Sequence, residues 1–125
     1  MKFVLDETPM AWWPVKVEVP SPVKENAGQT ETHTFQIEFI VPSREDLRQA
    51  DEAVASLSDF NEREAHWDAF IYERINSWSD VQNLDGAPLT FNAVNLDRLM
   101  ANGWARSAIY RAFFECVRGQ GAEKN

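Results

Sequence analysis

The side chains that could perform acid–base or metal chemistry are few in this sequence. His66 and Asp68 are close together, but positions i and i+2 of a helix point about 200° apart, so these two do not face each other. Glu62 and His66, at i and i+4, share a helical face, which is one way to present a pair of metal ligands. No third ligand completes this pair unless the fold brings His33 near. The pattern therefore favours an exposed helical face over a metal or catalytic site.

The other reactive residue types form no recognisable motif. Cys116 is the only cysteine, and its setting AFFECV favours a small buried hydrophobic residue over a nucleophile. With one cysteine, neither an internal disulfide nor a cysteine-based zinc site is expected. No serine lies in a nucleophile-elbow motif, and the 5 glycines are scattered instead of forming a phosphate-binding loop. We therefore expect no catalytic residue, no bound metal, no cofactor and no enzymatic activity.

Composition and charge narrow the class of protein. A chain of 125 residues that is 44% hydrophobic and 26% charged is typical of one globular domain. The net charge of −8 disfavours nucleic acid and anionic membranes as partners, because both attract Lys and Arg. No apolar run has the length of a membrane span, and the first residues lack the apolar core of a signal peptide. These features predict a soluble, intracellular protein.

The first 42 residues are predicted to be rich in β structure. Residues 35–41 alternate between apolar and polar side chains, which is the period of a half-buried strand. Residues 15–19 alternate in the same way between two prolines, which suits an edge strand. Residues 2–5 are a candidate for a third, shorter strand. Residues 20–32 are rich in Pro, Ser, Asn and Gly and are predicted to form a mobile hairpin loop.

Residues 43–119 change to a helical period. Ser43 and Asp46 resemble a capping box that begins the first helix. Asp59 or Asn61 can cap a second helix, whose apolar stripe is predicted to cover the sheet. That stripe consists of Trp67, Phe70, Ile71 and Trp78.

The end of the chain is predicted to hold two further helices. Asp85-Gly86 marks a tight turn, and Asn92 is the predicted N-cap of the third helix. The fourth helix is predicted from Trp104 to Arg118, with Trp104 facing inward and Gly119 as its C-cap. Residues 120–125 are predicted to be a frayed tail. Residues 1–125 are thus predicted to form a single α+β domain, a small antiparallel sheet of 2–3 strands at the N-terminus followed by about four α-helices.

Aromatic residues are the strongest remaining signal. Trp12 and Trp13 are adjacent on a predicted strand, so one of them must lie away from the buried face of the sheet. Phe114 follows Phe113, which takes the inward direction on the fourth helix. A half-exposed aromatic side chain is an efficient anchor in protein interfaces. We therefore predict Trp12, Trp13 and Phe114 as partner-binding residues.

Three segments of the chain follow an order seen in a known family. MKFVLDETPMAWWPVKVEVPSP begins with β structure, and HTFQIEFIVPSREDLRQA joins a strand to a helix. INSWSDVQNLDGAPLTFNAVNLDRLMANGWARSAIYRAFFEC has a tryptophan, an acidic-Gly turn, a Pro-x-x-Phe motif and two short helices. In these features the chain resembles the tail assembly chaperones of long-tailed bacteriophages. The loop at residues 20–32 is longer than in that family, and Asn102-Gly103-Trp104 replaces a more typical aliphatic break.

The resemblance implies a non-enzymatic assembly factor. Such chaperones bind the helix-rich tape measure protein, keep it soluble, and assist tail tube assembly. They act in the host bacterial cytoplasm and are absent from the mature virion. The family often makes a longer form by ribosomal frameshifting, which adds a domain that binds the tail tube protein. Residues 123–125 permit this, because Glu-Lys-Asn can be encoded as GAA AAA AAC, which contains the slippery heptamer A AAA AAC.

Two other functions are compatible with the sequence. One is another acidic phage-encoded interaction protein, an inhibitor or a nucleic-acid mimic. Such mimics carry carboxylates in rows, whereas here arginines such as Arg44, Arg48 and Arg63 are interleaved with the acids. The other is a small α+β enzyme or ligand-binding domain, which would need a pocket between sheet and helices and would use His33 or His66.

Overall fold

The computed structural model describes residues 1–121, which form a three-stranded antiparallel sheet and four α-helices. The predicted α+β class is confirmed. The strands are β1 (Met10–Pro20), β2 (Thr30–Ile40) and β3 (Ile75–Ser79), in that order across the sheet. The helices are α1 (Arg44–Ala55), α2 (Phe60–Tyr72), α3 (Ala93–Met100) and α4 (Gly103–Arg118). Residues 122–125 of the predicted frayed tail lie outside the described residues.

Strands β1 and β2 form one long hairpin in an unbroken register from Met10↔Ile40 to Pro20↔Thr30. The N–H of Val41 donates to the carbonyl of Pro9 at 2.8 Å, so odd-numbered β1 residues point their backbone groups toward β2. Even-numbered residues, including Pro14 and Pro20, point theirs away from β2. Neither proline removes a hydrogen bond from the ladder, and no strand within residues 1–121 pairs with the outer edge of β1. The predicted edge strand is therefore confirmed.

The connection between β1 and β2 is shorter than the predicted loop. Both strands continue into the segment 20–32, because their pairing extends to Pro20 and Thr30. The remaining residues contain one short 3₁₀ turn at Lys24–Asn26.

The third strand comes from the middle of the chain. The prediction of a strand at residues 2–5 is wrong, and so is the prediction that Trp78 belongs to the second helix. Helix α2 ends at Tyr72, and Ile75–Ser79 then pairs with β2. A register shift between Glu38 and Phe39 of β2 lets Ile75 and Trp78, three positions apart, both face the core. Long-range pairing thus overrides the helical spacing of this segment.

The helix ends follow their predicted capping residues. The Ser43 hydroxyl accepts from the Asp46 N–H at 3.1 Å, and the Asp46 carboxylate accepts from the Ser43 N–H at 3.4 Å. Asp59 caps α2 by accepting from the Asn61 N–H at 2.7 Å. Gly119 ends α4 with φ of 68°, a left-handed conformation that suits glycine. These local contacts fix where the helices begin and end.

The core lies between one face of the sheet and the helices α2 and α4. We call this the inner face; it carries the odd-numbered residues of β1 and β2. Helix α4 packs along β1, and its Phe113 ring meets Phe39 edge to face at 5.4 Å. Helix α2 contributes Phe70 and Ile71 to the core, as predicted, but the helix that packs closely along the sheet is α4. The side chains with the least exposure are Val15, Ile37, Phe39, Ile71, Ile109 and Phe113.

Candidate protein-interaction surfaces

The opposite, outer face of the sheet carries the even-numbered residues of β1 and β2. Every buried residue of these two strands lies on the inner face. Four apolar residues, Met10, Trp12, Pro14 and Ile40, gather at one end of the outer face, and Met10 and Ile40 are direct cross-strand partners. We call these four residues the outer-face patch. Trp12 is 50% exposed there, so a large aromatic side chain is presented to solvent.

Polar side chains border the outer-face patch. Glu38 lies opposite Trp12 in the register and accepts a hydrogen bond from the Asn76 amide at 2.7 Å. Farther along the sheet, the Thr32 and Thr30 hydroxyls donate to the Glu18 carboxylate, at 2.5 and 3.0 Å. These two hydrogen bonds lower the pKa of Glu18. An apolar centre with a polar border is the usual composition of a protein-binding surface.

Trp13, the second predicted anchor, lies on the inner face. Its position is odd-numbered, like that of Val15, and its partly buried side chain packs against the core. The indole N–H donates to the Glu115 carboxylate of α4 at 3.4 Å. This contact ties β1 to α4, so the structure gives Trp13 a role within the fold.

Phe114, the third predicted anchor, lies between the helices. Its ring is edge to face with Trp67 of α2 at 5.8 Å and with Phe113 at 5.2 Å. The side chain is partly buried, and it joins a row of aromatic contacts from α2 to the core. The three predicted residues therefore lie on three different parts of the molecule. They do not form one site.

A groove lies at the other end of the sheet, where β2 extends past the end of β3. It has a volume of about 990 Å³ and is open to solvent. Trp104 lines it and is 51% exposed, so the prediction that Trp104 faces inward is wrong. Trp104 is the second residue of α4 and lies in the first turn of that helix. We call this cavity the β2-edge groove; its apolar lining includes Val17, Val19, Phe35, Leu89, Leu99 and Trp104.

The two histidines that were candidates for catalysis or metal binding lie on different elements of the fold. His33 is exposed on β2, with its Nε2 2.7 Å from the Glu31 carboxylate. His66 lies in α2, and its buried Nδ1 has no hydrogen-bond partner within residues 1–121. No group of three His, Cys, Asp or Glu side chains in that range could hold a metal ion. Cys116 is buried, and burial raises the pKa of its thiol, which keeps it protonated.

One polar cluster joins α2 to α4. Arg106 donates to the Asp68 carboxylate at 2.8 Å, and the Tyr110 hydroxyl also donates to Asp68. The guanidinium lies 4.5 Å from the centre of the Tyr110 ring. Burial raises the pKa of Tyr110, and the hydrogen bond to Asp68 raises it further. The three side chains satisfy one another's hydrogen bonds. This arrangement favours a structural link between α2 and α4 over a reactive site.

Comparison with known proteins returned no relatives. The chain matches no protein-family model, no curated protein and no solved structure. None of the helices within residues 1–121 is both long and apolar enough to cross a membrane.

Sequence reasoning identified Trp12 but missed its neighbours. Met10, Pro14 and Ile40 complete the outer-face patch, and the alternation of the strands contains the signal that could have found them. Val15 has the opposite parity to Met10, Trp12 and Pro14, so an inward valine already places those residues on the other face.

Proposed function

We propose that this protein is a non-catalytic tail assembly chaperone that binds apolar helical segments of a tape measure protein. The observation that carries this proposal is Trp12, half exposed on a sheet face that no helix within residues 1–121 covers. The order of sequence motifs, which resembles that family, supplies the identity of the partner. The protein thereby keeps the tape measure protein soluble and assists tail tube assembly.

The outer-face patch is suited to an apolar helix by its shape and composition. A sheet buries an apolar face by packing a helix on it, and the inner face already does this with α4. The outer-face patch offers a second apolar surface, with Trp12 as an aromatic anchor and Met10 and Ile40 as apolar neighbours. A long apolar helix aggregates unless it is covered, so many small domains of this kind would protect it. The net charge of −8 would keep that crowded assembly soluble.

The proposal extends to the place and form in which the protein acts. It works in the host bacterial cytoplasm, is absent from the mature virion, and has a longer frameshifted form that binds the tail tube protein. Reading the DNA at residues 123–125 tests the longer form. The codons GAA AAA AAC would retain the slippery heptamer, whereas GAG AAG AAT would exclude frameshifting at this position.

Co-expression with the tape measure protein tests the binding function. The tape measure protein should be recovered in the soluble fraction with the wild-type chain and should return to the insoluble fraction with Trp12→Ala. Phe60→Ala is the matched control, because Phe60 is an aromatic residue of similar exposure, 66%, at the start of α2. This control variant should solubilise the tape measure protein as well as the wild type does.

Two results would contradict the proposal. If the tape measure protein is equally insoluble with and without the wild-type chain, the proposed chaperone function is contradicted. Alternatively, Trp12→Ala and Phe60→Ala could act alike, which shows that the outer-face patch is not the binding surface. Thermal unfolding of each purified variant shows whether a loss of solubilising activity is caused by a loss of folding.

A further inference from the structure

The β2-edge groove contains an unpaired strand edge. The N–H of Ile40 donates to the Arg74 carbonyl at 2.8 Å, and Gln36 pairs with Ser79, so even-numbered β2 residues point their backbone groups toward β3. Strand β3 ends at Ser79, however, and Asp80 then turns the chain away with φ of 66°. Within residues 1–121, no strand pairs with this side of Thr32 and Thr34. Their backbone donors and acceptors therefore face the groove.

An apolar surface lies beside this unpaired edge. Val17, Leu99 and Trp104 line the groove on the inner side of the sheet. An extended segment placed along Thr32 and Thr34 would continue the line of β3 and bury alternate side chains against these residues. Strand addition of this kind combines backbone hydrogen bonds with side-chain pockets. The groove is therefore built for an extended peptide with apolar residues at alternate positions.

The chain itself contains such a segment. Phe3, Val4 and Leu5 precede β1, form no strand, and are exposed; for Phe3 the exposed fraction is 89%. Phe3 and Leu5 are at alternate positions, so both point to one side of an extended chain. Lys2 and Asp6 flank these residues with one charge of each sign. The rim of the groove carries Asp80 and Arg98, which gives each charge an opposite partner.

Leu5 cannot reach the groove of its own chain, so Phe3 and Leu5 of one chain cannot both enter that chain's groove. Leu5 precedes Met10 by five residues, so it extends at most about 17 Å from the start of β1. Ile40 is the β2 partner of Met10, and Thr34 lies six residues farther along β2, a distance of about 20 Å. The vacant strand position lies one strand spacing beyond Thr34, on the side away from β1. Strand β3 also occupies the direct path beside Gln36. Only a second copy can supply the segment.

We propose that residues 2–6 of one copy add as a strand to the β2 edge of the next copy, with Phe3 and Leu5 in the β2-edge groove. The donor segment and the acceptor groove are at opposite ends of the sheet. Such a contact is head to tail, so each copy can engage two neighbours and the assembly grows with concentration. This inference does not depend on the proposed function, because it uses a different surface.

Sedimentation velocity of the full-length chain tests this proposal. The average mass should rise above the 14.3 kDa of one chain as the protein concentration increases. The donor variant, Phe3→Asp with Leu5→Asp, should raise the dissociation constant at least about 100-fold, because two apolar side chains lose their burial. The acceptor variant, Thr34→Pro, should have a similar effect because it removes an edge N–H. Thr34→Ala, which keeps that N–H, should associate like the wild type.

A mixture of the two variants gives the sharpest result. Each variant alone should be a monomer, but the donor variant retains its groove and the acceptor variant retains its segment. Together they should form a dimer of one copy each that grows no further. Trp104→Asp serves as a second acceptor variant if circular dichroism shows that Thr34→Pro disturbs the fold. A wild-type chain that stays monomeric up to about 1 mM would overturn the proposal, as would association unaffected by the donor substitutions.

Discussion

The two faces of the β1–β2 hairpin differ sharply in burial. On the inner face, Val15, Ile37 and Phe39 are fully buried beneath α2 and α4. On the outer face of the same strands, Trp12 and Met10 are exposed. An antiparallel sheet that folds on one face usually carries polar residues on the other. The outer-face patch departs from that rule, which supports the proposal that a partner covers it.

The greatest loss of stability is expected for Phe113, the α4 residue that packs against the inner face. Phe113→Ala should lower the free energy of unfolding by about 3–5 kcal/mol, because it empties a buried site between the rings of Phe39 and Phe70. Urea denaturation measures this change. Phe60→Ala is the control and should change stability by no more than about 0.5 kcal/mol, since Phe60 is exposed. Equal effects of the two substitutions would show that the burial of Phe113 beneath the sheet does not stabilise the fold.

The adjacent tryptophans give a closer comparison. Trp13→Ala should lower the free energy of unfolding by about 2 kcal/mol, because Trp13 packs against the core and donates to Glu115. Trp12→Ala should lower it by no more than about 0.5 kcal/mol. Both values come from the same urea titration. If the order of the two effects were reversed, Trp12 would belong to the core and the outer-face patch would lose its anchor.

A smaller effect is expected at a helix end. Asp59→Ala should lower the free energy of unfolding by about 1 kcal/mol, because the Asn61 and Glu62 N–H groups lose their cap. Asp59→Asn keeps a capping oxygen and should recover most of this loss. Binding of the proposed tape measure partner should be unchanged in both variants, since Asp59 caps α2 and is not part of the outer-face patch. A loss of binding would place the partner on the helical side instead.

The smallest effect concerns the polar end of the outer face. Hydrogen bonds from Thr32 and Thr30 lower the pKa of Glu18 in the folded state. The stability that they add is therefore present above the unfolded pKa and is lost as pH falls through the folded pKa. A carboxyl NMR titration should find this pKa below its ordinary value, and Thr32→Val should raise it. An unchanged pKa in Thr32→Val would show that this hydrogen bond does not form in solution.

Local rules predicted most of the fold. The alternation at residues 15–19 and 35–41 located the hairpin, and side-chain caps located the starts of α1 and α2, because both signals come from neighbouring residues. The strand Ile75–Ser79 was missed for the opposite reason. Its Trp78 lies seven positions after Ile71, a spacing that suits a helix, and only pairing with β2 and the register shift at Glu38 make it a strand.

The candidate surfaces were only partly predictable. Alternation separates Trp12 from Trp13, but whether other elements cover the outer face depends on where the helices pack. Helical spacing puts Trp104 on the same side as Ala108 and so predicts an inward side chain, but only Ala108 is buried. The groove beside Trp104 arises because β3 ends at Ser79 while β2 continues, a difference between distant segments that no local pattern contains.

NMR mapping of a bound helix tests whether the outer-face patch is the binding surface. An apolar helical peptide from the tape measure protein would be titrated into the isotope-labelled full chain. If the peptide binds the outer-face patch, the largest chemical-shift changes should occur at the Trp12 indole, the Met10 methyl and the backbone amide of Ile40. Changes confined to α2, α3 and α4, or no change at saturating peptide, would contradict this assignment.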